Sequence, residues 1–284
     1  MKTVEELNEI ARKVRVDALT GIHAAKSGHP GGSLSVTDIL VALYFNVMNV
    51  DPENPKMEGR DKLVLSKGHA CPALYGTLAE RGYFDPEEML TFRKLGTRLQ
   101  GHPNMELCPG IEMSTGSLGQ GFATAVGMAI ANKIDKKPGY VFAICGDGEI
   151  QEGIIWEAAM SAAKWKLDNF VAVIDSNNLQ IDGWVSDVMP VAPIDKKFEA
   201  FGWNAINCNG HDMQSLLDAF EQAKAFEGKP TVIVAETHKG HGVSFMEDVA
   251  GWHGKAPNDE QFTEALKELG CTDDEIAARM GGDK

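Results

Sequence analysis

Gly146, Asp147 and Gly148 follow an apolar run at 140–145, Asn177 and Asn178 follow a second at 170–175, and one helix-length segment lies between them. A magnesium-type ion is hard, takes oxygen donors, and is often held by one carboxylate, a neutral oxygen or two and the oxygens of a diphosphate. Asp147, the amide oxygen of Asn177 and a nearby main-chain carbonyl make up such a set. Glycines at 146 and 148 let the turn fold tightly and bring backbone N–H groups against phosphate oxygens. The segment reads as a metal-diphosphate cradle. Either half alone is an ordinary turn, and it is their occurrence after two successive strand-like runs that points to a ligand. Two other phosphate signatures fail. Gly-x-Gly-x-x-Gly requires glycine at 151, where Gln151 stands, and no Gly-x-x-x-x-Gly-Lys-Ser/Thr occurs.

Strands and covering helices must set these two turns side by side. Short runs at 62–66, 140–144, 170–175, 204–208 and 231–236 are rich in Val and Ile, and several are apolar on both faces, as in buried parallel strands. Helical periodicity lies at 118–133, 153–166 and 213–227, which gives repeated β-α-β units with right-handed crossovers. The predicted fold class is α/β: an open, mostly parallel sheet with helices on both faces, forming one domain over 1–284. Ligands in such sheets sit at the carboxyl ends of the strands, where both turns fall. Loops are expected at 27–33, 103–121 and 239–257, the last long enough to be functional. Trp156, Met160 and Trp165 stand at helical spacing and are expected to pack.

Composition limits the partners. The chain has 284 residues, 43% of them hydrophobic, enough for a buried core. No run approaches 18 apolar residues, and the N-terminus lacks the apolar core of a signal peptide, so a cytoplasmic location is expected. Five scattered cysteines with no Cys-x-x-Cys argue for reduced, mostly buried thiols. A formal charge of −14 makes nucleic acid and anionic membrane unexpected partners, although a metal ion, helix N-termini and histidines still attract an anion locally.

The segments 146–153 and 175–183 resemble the thiamine diphosphate motif. Four further segments resemble transketolases in particular: 27–32 (Ser-Gly-His-Pro-Gly-Gly), 66–70 (Ser-Lys-Gly-His-Ala), 101–103 (Gly-His-Pro) and 114–121 (Ser-Thr-Gly-Ser-Leu-Gly-Gln-Gly), with 252–257 (Trp-His-Gly-Lys-Ala-Pro) near the end. The resemblance implies thiamine diphosphate and Mg2+, with Ca2+ or Mn2+ also accepted by such oxygen donors. It implies Asp147 and Asn177 as metal ligands through their side chains and Leu179 through its carbonyl. Gly146 and Gly148 would approach the diphosphate, and His69 and His253 would bond to it. Gly116, Ser117 and Leu118 would line the pyrimidine, and Leu179 and Ile181 would press the rings into a bend. His29, His102 and His253 would face the substrate, where imidazoles exchange protons with sugar hydroxyls near neutral pH. Glu152, read as one turn into a helix, either complements the helix dipole or, as the resemblance implies, lies at an interface between subunits. His23 and His211 receive no catalytic role, and His211 is expected to order its own turn.

The family's pyrimidine-binding and C-terminal domains have no counterpart here. The resemblance thus implies the N-terminal, diphosphate-binding subunit of a split transketolase. Its separate C-terminal subunit would join it as an alpha2beta2 heterotetramer through obligate contacts on the order of 2,000 Å² or more. Sugar phosphates would be the substrates. Alternative readings are a 1-deoxyxylulose-phosphate-synthase type enzyme, the alpha type chain of a 2-oxo-acid dehydrogenase, or a non-catalytic cofactor-binding subunit.

Overall fold

The computed structural model describes residues 1–280. In chain order its strands are β1 (Lys62–Leu65), β2 (Val141–Gly146), β3 (Phe170–Ser176), β4 (Leu179–Gln180), β5 (Gly183–Trp184), β6 (Asn204–Asn209) and β7 (Thr231–Glu236). The helices are α1 (Val4–Ala25), α2 (Pro30–Ala42), α3 (Cys71–Arg81), α4 (Gln120–Ile134), α5 (Gly153–Lys164), α6 (Val185–Val188), α7 (Ile194–Ala200), α8 (Met213–Ala225), α9 (Asp259–Glu268) and α10 (Asp273–Arg279). β1-β2-β3-β7-β6 form one wholly parallel sheet, and β4 pairs antiparallel with β5 in a small hairpin.

Side chains alternate across the sheet, as the two-residue period of a strand requires. Leu63, Leu65, Phe142, Ile144, Val171, Val173 and Ile233 join Ile22, Leu40, Tyr75 and Phe220 in a core under α1, α2, α3 and α8. Val64, Val141, Ala143, Phe170, Ala172, Ile174 and Val232 point the other way, onto Phe122, Ile155, Ala159 and Phe198 of α4, α5 and α7. Both faces are thus covered at the centre of the sheet, which explains why β2, β3 and β7 are largely apolar, whereas the edge strand β6 is interrupted by asparagines and is partly exposed. A smaller cluster around Leu19, Leu34, Met246 and Phe262 fixes the last helices to α1 and α2.

The five sheet strands lie where the sequence places them, within two residues at either end. The helices differ more. The loop expected at 27–33 is half helix, because Pro30 stands at the first helical position with its φ already fixed for the turn. Gly31 and Gly32 serve close approach there rather than loop freedom. A Cβ on Gly31 would sit 3.0 Å from Lys239 Cγ, and one on Gly32 would sit 3.3 Å from His69 Nε2. The helix expected from 118 begins at Gln120, since Gly119 adopts φ +81°. Of the three residues expected to pack along α5, Trp156 does so against Phe198 and Phe201 (ring centroids 5.1 and 5.3 Å). Met160 and Trp165 are instead 55% and 45% exposed, because the buried stripe of α5 runs through Ile155, Ala158, Ala159 and Ala162.

Candidate active site

The carboxyl ends of β1, β2, β3 and β7 converge on one cavity of about 340 Å³. Its lining includes His29, Lys67, His69, Gly116, Leu118, Gly146, Asp147, Gly148, Glu152, Asn177, Leu179, Ile181, Lys239 and His253. Twelve of the fourteen residues singled out in the sequence therefore meet at one place. Ser117 is exposed beside the cavity. His102 is exposed outside the lining with its ring against Gly116, where a Cβ would come within 3.2 Å of the imidazole.

Asp147 and Asn177 are both buried. Oδ1 of Asp147 accepts the Gly148 N–H at 2.8 Å, and Oδ2 accepts the N–H of Asn178, so the carboxylate is fixed with lone pairs to spare. Asn177 Oδ1 accepts the Leu179 N–H at 3.2 Å. One carboxylate and one amide oxygen held by backbone N–H groups, together with the Leu179 carbonyl, suit a hard divalent cation. Burial pushes the Asp147 carboxyl up to about 6, a cost that a bound cation offsets. Gly148 leaves little room for a side chain, since a Cβ would stand 3.2 Å from Gln180 Cβ.

Three imidazoles, those of His29, His69 and His253, line the cavity, and that of His102 stands next to His29. Ring centroids lie 5.2 Å apart for His29 and His69, 5.1 Å for His69 and His253, 5.6 Å for His29 and His253, and 6.4 Å for His29 and His102. The Nδ1 atoms of His29 and His253 are buried without a hydrogen-bond partner, as expected of groups aimed at a ligand. Burial first, then the Arg93 and other nearby charges, draws His29 down to about 4; burial and the Lys239 ammonium draw His253 down to about 3. His69 falls well below the usual range for the same first reason, and His102 is lowered too. All four titrate below neutral pH in the free chain. These rings are neutral there, because cationic neighbours and burial both oppose the charge, and an anionic ligand is what would raise them again.

Sequence reasoning missed the charged groups beneath the cavity. Lys67 is buried, donates to the Gly32 carbonyl at 3.1 Å and pairs with Asp175, which also accepts from Ser35 Oγ (2.6 Å) and Thr237 Oγ1. Lys239 donates from Nζ to the Leu179 carbonyl at 2.7 Å, and burial followed by Lys67 lowers it to about 8. Glu149 is buried as well, and it ties the Ser66 hydroxyl, the Gly119 N–H (2.8 Å) and the Gly146 N–H (3.1 Å) into one turn. Lys67 stands inside the Ser-Lys-Gly-His segment and Lys239 opens the long loop, so each had a signal in the sequence.

Glu152 and His211 differ in detail from expectation, and His23 has a structural role. Glu152 is the residue preceding α5, not one turn into it, and its side chain caps nothing. His23 bonds to Asp259 at 2.9 Å and stacks on Phe262 (4.1 Å), which ties α1 to α9. His211 does more than order its turn. Its backbone N–H donates to Asn209 Oδ1, while its ring reaches Asp38 in α2, 173 positions away in the chain.

Residues 6–279 match the family described as transketolase, thiamine diphosphate binding domain. The chain is 45% identical to a 6-deoxy-6-sulfo-D-fructose transketolase subunit of a Clostridium species, over 93% of its own length and 96% of the relative's. It is 43% identical to an apulose-4-phosphate transketolase subunit of Phocaeicola vulgatus, over 95% and 94%. Among solved structures it is similar to the transketolase of Campylobacter jejuni, with a TM-score of 0.89 and 36% identity, over 95% of this chain but 43% of that one.

Proposed function

The chain belongs to the transketolase family, and from that premise we propose that it is the N-terminal, diphosphate-binding subunit of a split transketolase. It would transfer a two-carbon ketol group from a ketose to an aldose through thiamine diphosphate. The observation that carries this reading is the meeting of a hard-cation donor set with three neutral imidazoles in one cavity at the strand ends. The chain spans nearly the whole of two relatives named as subunits but less than half of the solved transketolase of Campylobacter jejuni, which supports a separate partner for the rest of the site.

When bound, thiamine diphosphate supplies a nucleophilic carbon on its thiazolium ring. This chain's residues do the holding. Asp147 and Asn177 grip Mg2+ with their side chains and Leu179 with its carbonyl; Ca2+ and Mn2+ suit the same oxygens. Gly146 and Gly148 let the backbone close on the diphosphate, and neutral His69 and His253 donate hydrogen bonds to it. Gly116, Ser117 and Leu118 face the pyrimidine, and Leu179 and Ile181 support the rings. His29, His102 and His253 bind and exchange protons with substrate hydroxyls. Glu152, exposed ahead of α5, suits contact with a neighbouring chain. The partner completes an alpha2beta2 assembly. Both relatives named above are designated by sugars with an anionic group, a sulfonate or a phosphate, so an anion-bearing ketose is the donor class that fits.

The test is an assay of the purified chain with thiamine diphosphate and magnesium, first alone and then mixed with its partner. The donors are ketose phosphates, apulose 4-phosphate and 6-deoxy-6-sulfo-D-fructose. Ketol transfer only in the mixture is expected. Full activity from the chain alone contradicts the shared site.

A further inference from the structure

Asp38, His211 and His241 bring one carboxylate and two imidazoles within metal-binding reach of one another, outside the cavity described above. The hydrogen bonds show that this cluster is no metal site. Asp38 is buried in α2, and both its oxygens take the Arg15 guanidinium of α1, at 3.1 and 2.6 Å. His211 has both ring nitrogens engaged. Nε2 accepts the backbone N–H of His238 at 2.8 Å, and a backbone N–H can only donate, so Nε2 carries no proton. The proton is therefore on Nδ1, which donates to Asp38 Oδ2 at 2.8 Å. No lone pair of His211 remains for a cation.

We propose that His211, oriented by Asp38 and Arg15, is a positioning residue that fixes Lys239 in the cofactor cavity. His211 grips the chain at His238, one residue before Lys239. The same loop is clamped just beyond, where the Gly240 N–H donates to the Gly31 carbonyl at 3.0 Å and His241 stacks on the His211 ring at 3.6 Å. Between the two clamps the Lys239 side chain runs past Gly31 and delivers Nζ to the Leu179 carbonyl at 2.7 Å. Arg15, Asp38 and His211 thus extend a rigid arm from the α1–α2 pair to the carbonyl assigned to the metal. This inference rests on the cofactor-site reading above.

Calorimetric titration of the full chain with thiamine diphosphate in excess Mg2+ tests both. His211→Ala is expected to weaken binding by about tenfold, the usual scale for an outer partner of a metal site. In a Lys239→Ala background the same change is expected to add less than about twofold, because the lysine it positions is gone. Two conservative variants replace one nitrogen each. His211→Gln keeps an acceptor at the position of Nε2 and should bind nearly as wild type, whereas His211→Asn reaches only Asp38 and should bind like the alanine variant. Additive losses in the double variant overturn the proposal, as do equal affinities for the Gln and Asn variants, or a lowered Tm with unchanged affinity. Wild-type chain that takes up no cofactor overturns the site reading itself, and the proposal with it.

Discussion

The floor and the rim of the cavity are built differently. At the floor Lys67, Asp175, Asp147, Asn177 and Lys239 are buried and locked by hydrogen bonds from four segments of chain. At the rim Gly116, Ser117 and Glu152 are exposed, and Ile181, on the β4–β5 hairpin, is 65% exposed. A charged diphosphate and its cation need donors fixed in advance, since every dipole that must reorient on binding costs affinity. Apolar ring systems need covering, and a single chain that leaves isoleucine in water has not supplied the cover. The floor is finished and the rim is not, which is the pattern of a shared site.

The largest effect expected of this contrast is at the floor. Replacing Lys67 by Met leaves Asp175 buried without its counter-ion, and removal of one partner from a buried pair costs about 3–5 kcal/mol. Thermal unfolding should show it in the isolated chain, without cofactor. Next comes Asp147→Ala, which removes the carboxylate of the cation site. It should lower affinity for thiamine diphosphate in magnesium at least about 100-fold, more than an outer-shell change, with the fold retained. An unchanged affinity would place the cation elsewhere.

The imidazole wall is sensitive to pH in a defined direction. His29 and His253 sit at about 4 and about 3 in the folded chain, below the ordinary value of 6.5. A base with a depressed folded value gives up protons on folding, so its contribution is complete above pH 6.5 and is lost as pH falls toward 4 and then 3. NMR titration of the ring carbons should find both resonances neutral at pH 6, and both pKa values should rise when the diphosphate enters. Values that stay fixed would mean the phosphates lie away from this wall.

The smallest effect belongs to the rim. Ile181→Ala should change the stability of the isolated chain by no more than about 0.5 kcal/mol, as for other exposed positions, yet slow the assembled enzyme. An equal loss in both states would make Ile181 a core residue and erase the contrast.

The central strands β2, β3 and β7 were legible in the sequence because burial on both faces leaves nearly unbroken apolar runs. The cavity was legible because its glycines, histidines and oxygen donors occur in compact segments. Helix α2 was not: every residue in it is buried, so no amphipathic period marks it, and its Pro-Gly-Gly start reads as a loop. The Lys67–Asp175 pair was equally hidden, since nothing in the order of residues tells how far apart positions 67 and 175 lie once the sheet forms. His211 looked local for the same reason. Its partner Asp38 is brought to it only by the packing of α2 against α8.

Under the proposed function, this chain alone supplies the protein oxygens for the cation and the grip on the diphosphate. A crystal of the chain grown with thiamine diphosphate and Mn2+ tests it through anomalous scattering from the metal. A single strong peak is expected between the Asp147 carboxylate, the Asn177 amide oxygen and the Leu179 carbonyl, with diphosphate oxygens completing the shell. A peak at any other position, with those three oxygens unligated, would contradict it.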